Sequence, residues 1–340
     1  MRGLIVALGL LAAPAAAQTT PLFASDDPIR VTIRGPIGAI ARAAEDSTEP
    51  REAVLSLTGS PEAYPIRLSA RGITRRKKDV CSFPPLRVDF AQKPAASSVF
   101  AYQGRLKLVT HCQSQEAFQQ QLLLEYSAYR IFNLLSPTSF RARLVTADYQ
   151  EPNGKVSATR WGFFIEDLDD VARRNGMTRA NVGERIVSTQ LDRRQAARVA
   201  LFEYMIGNLD WSMRAGPKGE ACCHNSRLIG AKGAATFMSV PYDFDYSGLV
   251  DAPYAVPPEG FGISSVRRRA YNGFCQLNAD TIAVAAEFRA RRAAIEALYS
   301  QIPGMSDRTR AKAVAYLAGF YEDIATDNSV RTKVLKKCSA

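Results

Sequence analysis

Histidine is scarce in this 340-residue chain, which has only His111 and His224. No C-x-x-C pair occurs among its six cysteines, so a zinc site of the usual His/Cys kind has little to be built from. Neither G-x-S-x-G nor H-E-x-x-H is present, and a hydrolase reading would rest on the spacing of acids alone. The phosphate-loop pattern G-x-x-x-x-G-K-[ST] is missing as well. Beyond the first residues no segment is apolar enough to span a bilayer, and there is no internal repeat or low-complexity tract. The composition is 46% hydrophobic and 23% charged, which excludes a disordered chain and suffices for one large domain or two packed units.

The chain begins with Arg2, an apolar core over Leu4 to Leu11, and small residues Ala15-Ala16-Ala17 before Gln18. This layout predicts a cleaved signal peptide over 1–17, hence export to the periplasm or medium; the alternative is an uncleaved N-terminal anchor. An even number of cysteines in an exported chain predicts three disulfides, drawn from Cys81, Cys112, Cys222, Cys223, Cys275 and Cys338. Six buried thiols would instead suit a cytosolic protein. The formal charge of +11 gives a surface that draws phosphorylated ligands, acidic proteins or anionic lipid. Nucleic acid is not expected outside the cell, and an Arg-rich coding bias is the plain account of the charge.

Residues 18–30 read as a flexible start. Alternation of apolar and polar residues predicts strands at Ile29 to Ile33, Ala53 to Leu57, Leu86 to Phe90 and Leu106 to Val109. If the last two pair antiparallel, Cys81 and Cys112 fall at the same end and bond. Ser114 is positioned to cap a helix over Gln115 to Leu135 that Pro137 ends. Two more strands follow, Phe140 to Tyr149 and Thr159 to Ile165, around a turn at Asn153-Gly154. A helix is predicted from Asp192 to Met205 with Gly207 as its left-handed end. Short strands follow at 226–229 and 235–240, then long amphipathic helices at 279–298 and 306–324. The order is α+β: a strand-rich unit over 31–165 with one long helix, then a helix-rich unit over 166–340.

Chemistry concentrates between Tyr204 and Gly248. Ile206-Gly207-Asn208-Leu209-Asp210 comes first, then His224-Asn225, then Pro241-Tyr242-Asp243-Phe244-Asp245. Each acid follows apolar residues at the edge of an element, where a polar group is costly unless it binds something. Two carboxylates and an amide oxygen in one cleft make a hard-oxygen site suited to Mg²⁺. Turn-forming aspartates are the plain alternative.

The pattern N-x-D, H-N, P-[WY]-D-x-D resembles the catalytic core of CotH-type spore-coat kinases, and more loosely other atypical kinases. The resemblance implies a two-lobed protein-kinase-like fold whose helix-rich second lobe carries the catalytic loop. It implies Asp210 as catalytic base, Asn225 and Asp243 as metal ligands, and Asp245 as a second acid at the metal. In the first unit, Arg71-Gly72 with the basic run from Arg75 to Lys78 is similar to the family's R-G…K-K segment. Lys107 stands where that family has its phosphate-contacting lysine, with Glu125 as its ion-pair partner, and Phe163 to Glu166 stands at the hinge, so Glu166 joins the nucleotide-binding set. ATP with Mg²⁺ or Mn²⁺ is the implied cofactor. The acceptor would be an exported protein's Ser or Thr, or a small hydroxyl-bearing molecule. The chain departs from the pattern in lacking a Gly-rich phosphate loop and the H-R-D triplet. Its long Asp210–Asn225 loop contains Cys222 and Cys223, which suggests a disulfide at the site's edge. The missing Gly-rich loop favours the alternative of a pseudokinase serving as an envelope binding or assembly module.

Overall fold

The computed structural model describes residues 19–339, so the signal-peptide reading of 1–17 lies outside the described residues. Seven strands come from the first half of the chain. They are β1 (Ile29–Arg34), β2 (Arg51–Leu57), β3 (Ala63–Ala70), β4 (Leu86–Phe90), β5 (Arg105–Val109), β6 (Ala142–Gln150) and β7 (Val156–Ile165). Alternation decides their faces: Val31 and Ile33 of β1 are fully buried while Arg30 and Arg34 face out. The order β1-β2-β3-β4-β5-β7-β6 closes on itself through a parallel pairing of β1 with β6, from Ile29 opposite Val145 to Arg34 opposite Gln150.

That closure corrects the expected fold. The chain forms a closed seven-stranded barrel, not the expected two-lobed protein-kinase-like arrangement of a strand-rich lobe with one long helix and a helix-rich lobe. Two features of the sequence hid it. A parallel contact between segments more than a hundred residues apart leaves no local signal. Pro65 also makes 63–70 read poorly as a strand. The proline is tolerated because its carbonyl accepts from Ala91 N–H beyond the last β3–β4 pair, Ile66 with Phe90, so its missing N–H points past the end of β4.

Helix α1 (Ile37–Ala43) covers one end of the barrel, and α2 (Glu116–Leu135) lies across β6 and β7. The expected N-cap Ser114 is outside the helix; Gln115 holds that position without a side-chain bond. Beyond the barrel come α3 (Leu168–Arg174), the strand β8 (Thr178–Arg179), α4 (Arg193–Ile206), the hairpin β9 (Ser226–Gly230) and β10 (Met238–Pro241), α5 (Asn278–Gln301) and α6 (Asp307–Asp323). Asp192 caps α4 by accepting from Gln195 N–H at 2.8 Å, and Gly207 ends it at φ 67°. Among the described residues, no helix is long and apolar enough to cross a membrane.

Two cores result. Val145, Phe164 and their neighbours fill the barrel. Leu144, Phe163 and Ile165, on the opposite faces of β6 and β7, join α2, α4, α5 and α6 in a second core. The outer faces of β6 and β7 thus belong to the helical core, while the barrel keeps a core of its own. An aromatic chain runs through the helical core: Phe132 to Phe202 at 4.7 Å between centroids, Phe202 to Phe244 at 5.3 Å, Phe244 to Tyr129 at 4.7 Å. Phe244 is 1% exposed. Its anchoring sets the two acids that flank it, Asp243 and Asp245, on the surface of that core.

Three disulfides are present among the described residues: Cys81–Cys112, Cys222–Cys223 and Cys275–Cys338. The predicted 81–112 bond forms where β4 and β5 place its two ends together.

Candidate active site

The left-handed turn at Gly207 sends the chain out of α4 into Asn208 and Asp210. Asn208 is the scaffold of this loop. Its amide nitrogen donates to Glu203 Oε2 at 2.9 Å, and its Oδ1 accepts from Asp210 N–H at 3.1 Å. Burial holds the Glu203 carboxyl well above its ordinary range, with the Asn208 amide pulling the other way.

The β9–β10 hairpin delivers the second part. Ser226 pairs with Pro241, and one step further Tyr242 N–H donates to Asn225 O at 3.0 Å. Asn225 and Asp243 are thereby neighbours at the open end of the hairpin. Both have positive φ, 45° and 67°, a region that Asn and Asp adopt more readily than other non-glycine residues. Asp243 N–H donates to the Tyr129 hydroxyl at 3.0 Å, which ties the hairpin's end to α2.

Asp210 meets these residues directly. Its Oδ1 lies 2.7 Å from His224 Nε2, and its Oδ2 accepts from Asn225 Nδ2 at 3.0 Å. Asn225 Nδ2 also donates to the Asp210 carbonyl at 2.7 Å. The bond to Asp210 raises the pKa of His224, and burial opposes it. With its amide nitrogen spent, Asn225 keeps its oxygen uncommitted among the described residues.

Asp210, Asn225, Asp243 and Asp245 line one open cleft of about 300 Å³, and Lys107 of β5 lines it from the barrel side. Arg71, just past β3, and Arg227 of β9 line it too. Lys107 Nζ stands 4.7 Å and the Arg227 guanidinium 5.0 Å from the centre of the Tyr242 ring. Among the described residues none of these three cations is ion-paired. Burial and then Arg71 lower the Lys107 pKa to about 8, with Asp243 opposing.

Arg75, on the turn between β3 and β4 and 7% exposed, lines the inner wall of the same cleft. Its Nη1 donates to Glu125 Oε2 at 3.2 Å, its Nη2 to Asp243 Oδ1 at 3.4 Å, and its Nε lies 3.3 Å from Asp245 Oδ2. Glu125 therefore pairs with Arg75 and not with Lys107. Burial pushes the Glu125 and Asp245 carboxyls up from their ordinary range, and Arg75 pulls both down. Asp245 also accepts from the Tyr254 hydroxyl at 3.0 Å.

Glu166 is the one predicted residue apart from this group. Its carboxylate accepts from Arg174 at 3.0 and 3.1 Å and from Arg141 N–H at 2.9 Å, at the end of β7 and away from the cleft lining. Among the described residues no three His, Cys, Asp or Glu side chains are arranged to ligate a metal. Mg²⁺ does not need such a cage, because it is held by one or two protein oxygens with phosphate oxygens and water. The uncommitted oxygens of Asp243 and Asn225 fit that mode. Arg75, Arg71, Arg227 and Tyr129 carry no local sequence signal that marks them as cleft residues. Arg71 and Arg75 stand in the basic segment, yet nothing local tells them apart from solvated arginines.

No protein-family model matches this chain, and no curated protein matches it. Among solved structures, the crystal structure of the Helicobacter pylori proinflammatory kinase CtkA is similar, with a TM-score of 0.40 and 10% identity, covering 73% of this chain and 91% of that one. A likeness this distant decides nothing about chemistry, which rests on the side chains of the cleft.

Proposed function

We propose that this chain is an exported phosphotransferase that uses ATP with Mg²⁺ or Mn²⁺ and delivers the phosphoryl group to a hydroxyl. One observation carries the reading: a carboxylate held by two neighbours, a second carboxylate beside an uncommitted amide oxygen, and three cations without acid partners all face one cleft. Phosphoryl transfer asks for little beyond such positioning and charge. Arg71, Lys107 and Arg227 take the phosphate oxygens. Asp243 and Asn225 hold the divalent ion, which supplies charge neutralisation when bound. Asp210 orients the acceptor hydroxyl and takes its proton as the new O–P bond forms and the bond to the nucleoside diphosphate breaks. His224 and Asn225 fix the direction of its carboxylate. The acceptor class is a protein Ser or Thr, or a small hydroxyl compound. The three disulfides support an oxidising compartment.

A second reading, a binding module without turnover, is favoured by the fact that both Asp210 oxygens already carry a partner. The oxidised chain, incubated with γ-labelled ATP, Mn²⁺ or Mg²⁺ and generic acceptors, separates the two. Label transfer that vanishes in Asp243→Ala supports the transferase. Nucleotide binding without transfer supports the module. Absence of both removes the nucleotide reading.

A further inference from the structure

Arg75 is set apart from the other cations of the site by its count of partners. Its three guanidinium nitrogens go to three different acids: Nη1 to Glu125, Nη2 to Asp243 and Nε to Asp245. A planar guanidinium presents donors in a fixed fork, which a lysine ammonium does not reproduce. The three acids arrive from separate places, Glu125 from α2 and the two aspartates from the segment after β10. Asp245 and Glu125 are 6% and 2% exposed, whereas the Asp243 side chain is 34% exposed and lines the cleft. The hollow bounded by Arg75, Glu125, Asp245 and Tyr254 measures about 10 Å³, room for one water and not for a hydrated divalent ion.

We propose that Arg75 is a built-in cation that withholds Asp245 and Glu125 from metal binding and steadies Asp243, so that the cleft takes a single divalent ion at Asp243 and Asn225. The inference rests on the nucleotide–metal reading above and sharpens it. Asp245, which the sequence offered as a second metal acid, becomes a partner of Arg75 and Tyr254. Arg75 lines the cleft, but each of its three nitrogens is already engaged by an acid, so it acts as a positioning residue. Two buried carboxyls and one partly exposed carboxylate share this one guanidinium, and removing it leaves their oxygens without a cation and creates a place for a diffusible one.

The test is Mn²⁺ binding followed by electron paramagnetic resonance, with and without a non-hydrolysable ATP analogue, beside thermal melts in Mn²⁺. The wild-type chain with analogue should bind roughly one Mn²⁺. Asp245→Asn should leave that affinity within about twofold, while Asp243→Asn weakens it by about tenfold or more. Arg75→Met should gain a nucleotide-independent rise of melting temperature with Mn²⁺ that Asp245→Asn added to it abolishes. If Arg75→Met does not fold, Arg75→Lys, which keeps the charge and loses the three-way fork, should show a weaker form of the same gain. A second Mn²⁺ in the wild type that is lost with Asp245→Asn overturns the proposal. So does a folded Arg75 variant with no Mn²⁺-dependent gain. A wild type that binds neither analogue nor Mn²⁺ overturns the nucleotide reading instead, because the gain in Arg75→Met needs no nucleotide.

Discussion

The disulfides divide the molecule into two kinds of region. Cys81–Cys112 and Cys275–Cys338 join residues 31 and 63 apart, the first at the end of β4 and β5, the second tying the chain's last turns to the start of α5. Cys222–Cys223 joins neighbours and closes no loop. The first kind constrains the unfolded chain, and the second cannot, because no loop entropy is removed. What the adjacent pair controls is local. Cys223 lines the cleft, and the next two residues, His224 and Asn225, are those that hold the Asp210 carboxylate. Cys275–Cys338 lines no part of the cleft, Cys112 borders the small hollow beside Arg75, Glu125 and Asp245, and Cys223 lines the cleft itself.

The comparison breaks most visibly at Asp210. Asp210→Asn should lower phosphoryl transfer by about 10²–10⁴-fold with little change in melting temperature, measured by label transfer and calorimetry; an equal loss of stability would make Asp210 a structural residue. Next, the double change Cys275→Ser with Cys338→Ser should cost about 4 kcal/mol in urea unfolding, and the surviving folded fraction should keep its turnover. Cys222→Ser with Cys223→Ser should do the reverse: a stability change within about 1 kcal/mol, and a loss of activity on the order of tenfold as the handover to His224 and Asn225 loosens. If that pair of changes costs as much stability as removing Cys275–Cys338, the contrast fails.

The smallest effect is with pH. Lys107 titrates at about 8 in the folded chain, below its ordinary 10.5. Its charge is present below pH 8 and fades above it, so the proposed contact with phosphate predicts that nucleotide affinity falls on going from pH 7 to pH 9. The folded state holds fewer protons on Lys107 than the unfolded state between pH 8 and 10.5, so this group's contribution to stability rises across that window. Lys107→Met should flatten both dependences, as read by calorimetric titration and by melts against pH.

Local elements were largely legible. The strand at Leu86–Phe90 and the capped helix from Asp192 to its glycine end follow from alternation, a capping side chain and a left-handed glycine, all of which act within a few residues. The parallel closing pair β1–β6 and the proline-bearing β3 were not, because their stabilising partners lie far along the chain. The acids of the site were readable from their order, since Asp210, Asn225 and Asp243 do meet in one cleft. Their counter-charges were not: Arg75 and Lys107 look alike as isolated basic residues, and only burial and packing give one three acids and the other an aromatic face.

The sequence by itself determined the spacing that brings Asp210, Asn225 and Asp243 together, because each is tied to a turn or hairpin whose geometry is local. It also determined the even set of cysteines and the amphipathic faces that build the second core. Only the tertiary structure decided that the strands close into a barrel and which cation faces which acid. Pairing of charges in a low-dielectric interior depends on distance and desolvation, and neither exists until the chain has packed.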